Sequence, residues 1–111
     1  KWLDENEIEV YEKEYRKTSF QGGLNWYRST VDYKNLQKLS FFSDRTIDVP
    51  SLFISGINDW GTYQRPGAIK KMSSIMTKFQ GISLVENSGH WVQQENPDKV
   101  SKLILEFTKE T

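Results

Sequence analysis

Apolar and polar positions follow two different rhythms along this chain. Over residues 4–17, DENEIEVYEKEYRK, apolar side chains recur at helical spacing: Ile8, Tyr11 and Tyr15 form a narrow stripe on a charged helix. Asp4 stands where an N-cap belongs, and acidic residues fill the first turn, where the helix dipole favours them. The stripe breaks over residues 18–23, and Gly22 and Gly23 are predicted to make that turn. A second helix is predicted over residues 23–33, GLNWYRSTVDY, with Leu24, Tyr27 and Val31 on one face and Trp26 and Thr30 on the next. Residues 34–49 keep neither rhythm for long and read as a connector, broken by Ser43, Asp44 and Arg45.

From Val49 the texture changes. VPSLFISGIND is a short apolar run opened by proline and closed by Gly, Asn and Asp, the pattern of a strand buried on both faces in a parallel sheet. A loop, WGTYQR, follows. A helix is then expected from Pro66 to Lys78, with Pro66 in its first turn and Ile69, Met72, Ile75, Met76 and Phe79 on its apolar face. GISLVENSG, residues 81–89, reads as a second buried strand ending in a turn. Asn96-Pro97 opens a last helix, predicted to run to Lys109 with Val100, Leu103, Ile104 and Phe107 inward.

The second half is therefore β-α-β-α, and such a crossover implies parallel strands and a right-handed connection. The fold class is α/β, with a helical segment ahead of it. Asp59 falls just past the carboxyl end of the first strand and His90 just past that of the second. Open parallel sheets build their sites at that edge. Asp44 and Asp48 precede the first strand and belong at its other end. Two strands are too few for an open α/β sheet, so at least one edge and one face should be bare. Upstream residues of the same fold, or a partner chain, are expected to complete it. The chain begins at Lys1 without an initiator Met, which reads as trimming from a longer product.

Composition narrows the chemistry. The chain has 111 residues, 36% hydrophobic and 27% charged, within the range of one small domain or part of a larger one. Its formal net charge is zero, so no global field favours nucleic acid or an anionic membrane. Arg65, Lys70, Lys71 and Lys78 read as a solvated helix face. Cysteine is absent and histidine occurs once, which excludes disulfides and leaves no Cys- or His-rich metal site. No apolar run reaches the roughly 20 residues of a membrane span and no signal peptide is visible, so the expected location is cytoplasmic. A homo-oligomer is compatible with this composition.

The lone histidine is the most informative residue. On its own, a single His beside an apolar segment is ordinarily structural, and Asp59 on its own is ordinarily a turn-capping carboxylate. Together they offer another reading. A carboxylate on the Nδ1–H of an imidazole fixes its tautomer and stabilises the imidazolium formed when Nε2 takes a proton. This is the base half of a nucleophile–His–acid triad. No nucleophile accompanies it, since G-x-S-x-G is absent and no equivalent Asp elbow occurs.

Three segments resemble a known family. SGHWVQQENPDKV is similar to the catalytic-His segment and last helix of α/β-hydrolases, and SLFISGIND with WGTYQRPG resembles their acid-bearing loop. SFQGGLNWYR resembles the late cap motif of epoxide hydrolases, which carries one of two substrate-activating tyrosines. The resemblance implies the C-terminal part of an α/β-hydrolase fold, with residues 1–40 as the end of a helical cap and 41–111 as the end of the core. It implies His90 as the base that activates water, Asp59 as its orienting acid and Tyr27 as a donor to the epoxide oxygen. The family's nucleophilic Asp, oxyanion loop and first cap tyrosine have no counterpart here. The implied substrates are a small apolar epoxide and water, and the product a vicinal diol, with no metal or organic cofactor needed. Trp26, Trp60, Trp91 and Tyr63 are candidates to line the pocket, although a Tyr or Trp on an amphipathic stripe is ordinarily packing. A haloalkane or haloacetate dehalogenase, a serine esterase and a non-catalytic binding module remain as alternatives.

Overall fold

The computed structural model describes residues 2–110. Contacts divide them into two units, Leu3–Arg45 and a second that begins at Thr46. In the first, helix α1 (Glu5–Thr18) starts where its cap dictates. The Asp4 carboxylate accepts from the Glu7 N–H, and the Glu7 carboxylate accepts from the Asp4 N–H, a reciprocal capping box. Helix α2 (Gln21–Val31) begins earlier than the glycines suggested. Gly22 and Gly23 lie in its first turn, and the bend is made instead by Ser19, at a φ of 55°, and Phe20. The Phe20 ring stacks on Tyr15 at 4.4 Å, and that contact closes the turn without needing glycine.

The expected connector contains a further helix, α3 (Tyr33–Ser40). Asp32 caps it by accepting from Lys34 N–H at 2.8 Å, and Tyr33, Leu36 and Leu39 recur at helical spacing within it. The Asn35 amide donates to the Ser29 carbonyl at 3.1 Å and joins α3 to α2. No described residue of this unit is buried.

The second unit is built on two parallel strands, β1 (Ile47–Gly56) and β2 (Met76–Val85). Between them run a short helix α4 (Trp60–Tyr63), inside what reads as loop, and helix α5 (Ala68–Ile75). Pro66 does not open α5. Gly67, left-handed at a φ of 80°, interrupts the helical run and becomes its N-cap. Met76 and Phe79 are on β2 rather than on the helix face, because β1 begins early enough for Ile47 to pair with Met76. The ladder carries one extra residue on β1 near Pro50, which has no N–H to donate, and one extra on β2 before Ile82. The two offsets cancel, so the original register returns before the carboxyl ends.

Burial on both faces holds only at that end. Residues 47–50 are exposed, whereas Ser55 and Gly56 are buried. Ile82 and Leu84 on β2 stay exposed. The core is small: Val85, Val92 and Val100 are buried, with Ile54 and Leu103 packed against them. Val92 belongs to a short helix α6 (Val92–Glu95) and Val100 to α7 (Pro97–Glu110), which starts at the expected proline. Ile104, expected inward, faces outward at 48% exposure, since nothing in this unit covers that side of α7. Among the described residues no helix is long and apolar enough to cross a membrane.

Candidate active site

The site forms where the two strands end. Beyond the last ladder pair, Gly56 with Val85, the chain continues to pair: Ile57 N–H donates to Val85 O at 2.9 Å and Asn58 N–H to Ser88 O at 3.0 Å. This zips the turn after β1 onto the turn after β2. Gly56 permits it. A Cβ there would lie 2.3 Å from the carbonyl oxygens of both Ser88 and Gly89. Ser88 is almost fully buried at 1% exposure, so that side of the junction has little room to give.

The junction delivers Asp59 and His90 to one another. His90 Nδ1 lies 3.0 Å from Asp59 Oδ1. The carboxylate is the buried partner and the imidazole is half exposed. Asp59 is held on every side. Gly61 N–H donates to Oδ1 at 2.8 Å, which also makes Asp59 the cap of α4, and the Ser55 hydroxyl donates to Oδ2 at 3.2 Å. Thr62 stands behind Ser55, hydroxyl to hydroxyl. Desolvation by burial pushes the Asp59 carboxyl up. The bonds from Gly61, His90 and Ser55 and the His90 charge together outweigh it and hold the group below its ordinary value. An ionised Asp59 can only accept, so in the neutral form of the imidazole the proton sits on Nδ1 and Nε2 keeps the lone pair a base needs. Among the described residues Nε2 has no hydrogen-bond partner.

Two tryptophans flank the imidazole. Trp60 stacks on it at 5.7 Å and 21°, and Trp91 meets it edgewise at 5.4 Å and 76°. An open cleft of about 340 Å³ adjoins the pair, lined by Phe53, Ile54 and Val92 together with Ser55, Asp59 and His90. Tyr63 turns its hydroxyl onto the Ile57 carbonyl at 3.0 Å, bracing the turn after β1. Trp26 lines a cleft within the helical unit, with Thr30, Leu39 and Phe42. Tyr27 is 70% exposed and its hydroxyl bonds nothing among the described residues, so in this unit it is not a core tyrosine. Asp48 stays at the opposite end of β1, accepting from the Thr77 hydroxyl at 2.9 Å. Among the described residues no cluster of three or more His, Cys, Asp or Glu is placed to hold a metal ion.

Several supporting residues escape a reading of the sequence: Ser55, Thr62, Ser88 and Glu95. Their signal is spacing around the pair. Ser55 and Thr62 bracket Asp59 at positions that a tight turn folds onto one carboxylate. Glu95, five residues after the only histidine, accepts from backbone N–H groups on both sides of it.

No protein-family model matches the chain. Epoxide hydrolase A of Mycobacterium tuberculosis is 36% identical over 107 residues, covering 96% of this chain and 32% of the relative. The chain is homologous to epoxide hydrolases of the α/β-hydrolase fold. Bifunctional epoxide hydrolase 2 of Rattus norvegicus is 33% identical across 95% of the chain and 18% of its own length. The solved structure of potato (Solanum tuberosum) epoxide hydrolase I superposes with a TM-score of 0.87 at 28% identity, over 99% of this chain and 35% of that one. Epoxide hydrolase A of Mycobacterium thermoresistibile gives 0.83 at 32% identity, over 97% and 33%. The chain thus spans about a third of the length, or less, of the epoxide hydrolases it matches.

Proposed function

We propose that this chain supplies the base, the orienting acid and one oxygen-activating tyrosine of an epoxide hydrolase. The observation that carries the reading is the His90 Nδ1–Asp59 Oδ1 bond at the strand ends, with Asp59 ionised and Nε2 unbonded among the described residues. The reaction runs in two steps through an alkyl-enzyme ester. An aspartate carboxylate outside this chain attacks a ring carbon, the C–O bond of the epoxide breaks, and the oxygen leaves as an alkoxide. Tyr27, from the cap-like segment of residues 1–40, donates to that oxygen. His90 Nε2 then takes a proton from water, and the resulting hydroxide adds to the ester carbonyl. The second alkoxide departs with the imidazolium proton, and the carboxyl group left behind loses its own proton, which passes through Tyr27 or solvent to the first alkoxide, so that the carboxylate is regenerated. Epoxide plus water gives the vicinal diol.

In this reading Trp60 and Trp91 are the apolar walls beside the imidazole, and Trp26, in the cap-like segment, is a further candidate pocket residue. Tyr63 shapes the pocket only indirectly, since its hydroxyl is occupied. The exposed sheet edge and face belong against polypeptide that completes the sheet and brings the nucleophile.

The test is turnover of a small aryl epoxide, such as styrene oxide, by the protein at its full natural length. Diol should form, and His90→Gln should slow steady-state turnover by roughly 100- to 10,000-fold, the range of a general base. Diol formation at an undiminished rate in His90→Gln would remove the base assignment. Absence of diol alongside ester or haloalkane hydrolysis would shift the reaction to another member of the fold.

A further inference from the structure

Gly89 and Trp91 flank the proposed base, and their N–H groups lie in an irregular turn with no strand or helix to pair them. Both are taken by one side chain. Glu95 Oε2 accepts from Gly89 N–H at 2.6 Å, and Oε1 accepts from Trp91 N–H at 2.9 Å. We propose that Glu95 is the positioning residue of His90, fixing its backbone as Asp59 fixes its ring.

The carboxylate is itself well placed to do this. It closes α6, where Glu95 N–H donates back to Trp91 O at 2.8 Å, so clamp and turn form one short loop. Val92, within the same helix, is anchored in the small core with Val85 and Val100. Gly89 leaves the approach open, since a Cβ there would lie 3.3 Å from Oε1 and 3.5 Å from Oε2. On its other flank the turn is tied to the Asp59 loop through Asn58 N–H and Ser88 O. His90 therefore stands between two anchored backbone segments, with its ring held by a third contact. Only an ionised carboxylate offers two equivalent acceptors to two N–H groups. An amide offers one acceptor and turns its NH₂ toward the other donor. Alanine leaves both donors without a partner, and the turn is free to move by the ångström or so that separates a productive base from an idle one.

The inference rests on His90 being the water-activating base, and the experiment keeps the two claims separate. The protein at its full natural length is mixed with styrene oxide, and formation and hydrolysis of the covalent ester are timed individually in wild type, Glu95→Gln, Glu95→Ala and His90→Gln. The expected result is ester formation within about twofold of wild type throughout. Hydrolysis should slow by roughly 10- to 100-fold in Glu95→Ala and by less in Glu95→Gln, on the scale of a displaced catalytic group. A purely structural Glu95 would lower the melting temperature and the active fraction yet leave both rate constants of the folded enzyme unchanged. That outcome, with His90→Gln impaired, overturns the positioning role alone. Wild-type hydrolysis in His90→Gln overturns the base assignment and the positioning role with it. The nearly isosteric Glu95→Gln carries the test if the alanine variant fails to fold.

Discussion

Asp59 is one residue with two duties. Its Oδ1 caps a short helix through Gly61 and also holds the imidazole, while Oδ2 is satisfied by Ser55. A turn-capping aspartate and a triad acid are usually treated as competing descriptions, but here the capping bond is part of what keeps the carboxylate ionised. The consequence is measurable. A folded-state pKa below the unfolded value contributes stability that is fully present above the unfolded value, about 3.9, and lost as pH falls through the folded value. Urea midpoints of the protein at its full natural length should therefore fall on acidification below about pH 4, with a component that Asp59→Asn lacks. Identical pH profiles for the two proteins below pH 4 would show that the carboxylate is not selectively stabilised by the fold. At this scale much of the site was legible. A lone histidine and a carboxylate at the ends of two predicted strands identify each other. Ser55, Thr62 and Glu95 do not, since each acts through a turn whose geometry no periodicity encodes.

At the scale of elements, the ends of the strands matter more than their length. Two compensating bulges restore the register before the carboxyl edge, and Gly56 lets the two following turns touch. Gly56→Ala should force Ser88 and Gly89 away from β1, at about 1–3 kcal/mol for an overpacked site. The His90–Asp59 bond should loosen with it. Chemical denaturation together with turnover checks this, and a variant with wild-type stability and rate would mean that the junction is more pliable than a buried Ser88 allows. The helices show where sequence reading reaches its limit. Asp4 and Pro97 announced α1 and α7 through chemistry local to their termini. Helix α3 departs from the expected connector because its apolar stripe is confined to eight residues and stops at the polar break that follows. The start of α2 was misread because an aromatic stack between Tyr15 and Phe20 makes the bend in place of glycine. Met76 and Phe79 went to β2 because pairing with β1 overrides a helical pattern that continued smoothly through them.

For the molecule as a whole, the balance of buried and exposed surface is unusual. Among the described residues three buried valines, Val85, Val92 and Val100, form the core, while Ile47, Val49, Ile57, Ile82 and Leu84 on or beside the strands remain exposed. An apolar sheet of this kind is a surface made to be covered. In the proposed mechanism the chemistry has the same character: His90 and Asp59 supply a base and its acid, and the nucleophile comes from outside the chain. In the proposed mechanism His90 drives hydrolysis of a covalent ester formed on an aspartate outside this chain. Intact-mass analysis of the protein at its full natural length, carrying His90→Gln and mixed with styrene oxide, tests this most directly. The expected result is a stable adduct of one substrate mass per protein molecule, accumulating without diol release, whereas the wild type returns to its unmodified mass. An unmodified His90→Gln protein that still converts the epoxide at the wild-type rate would contradict it.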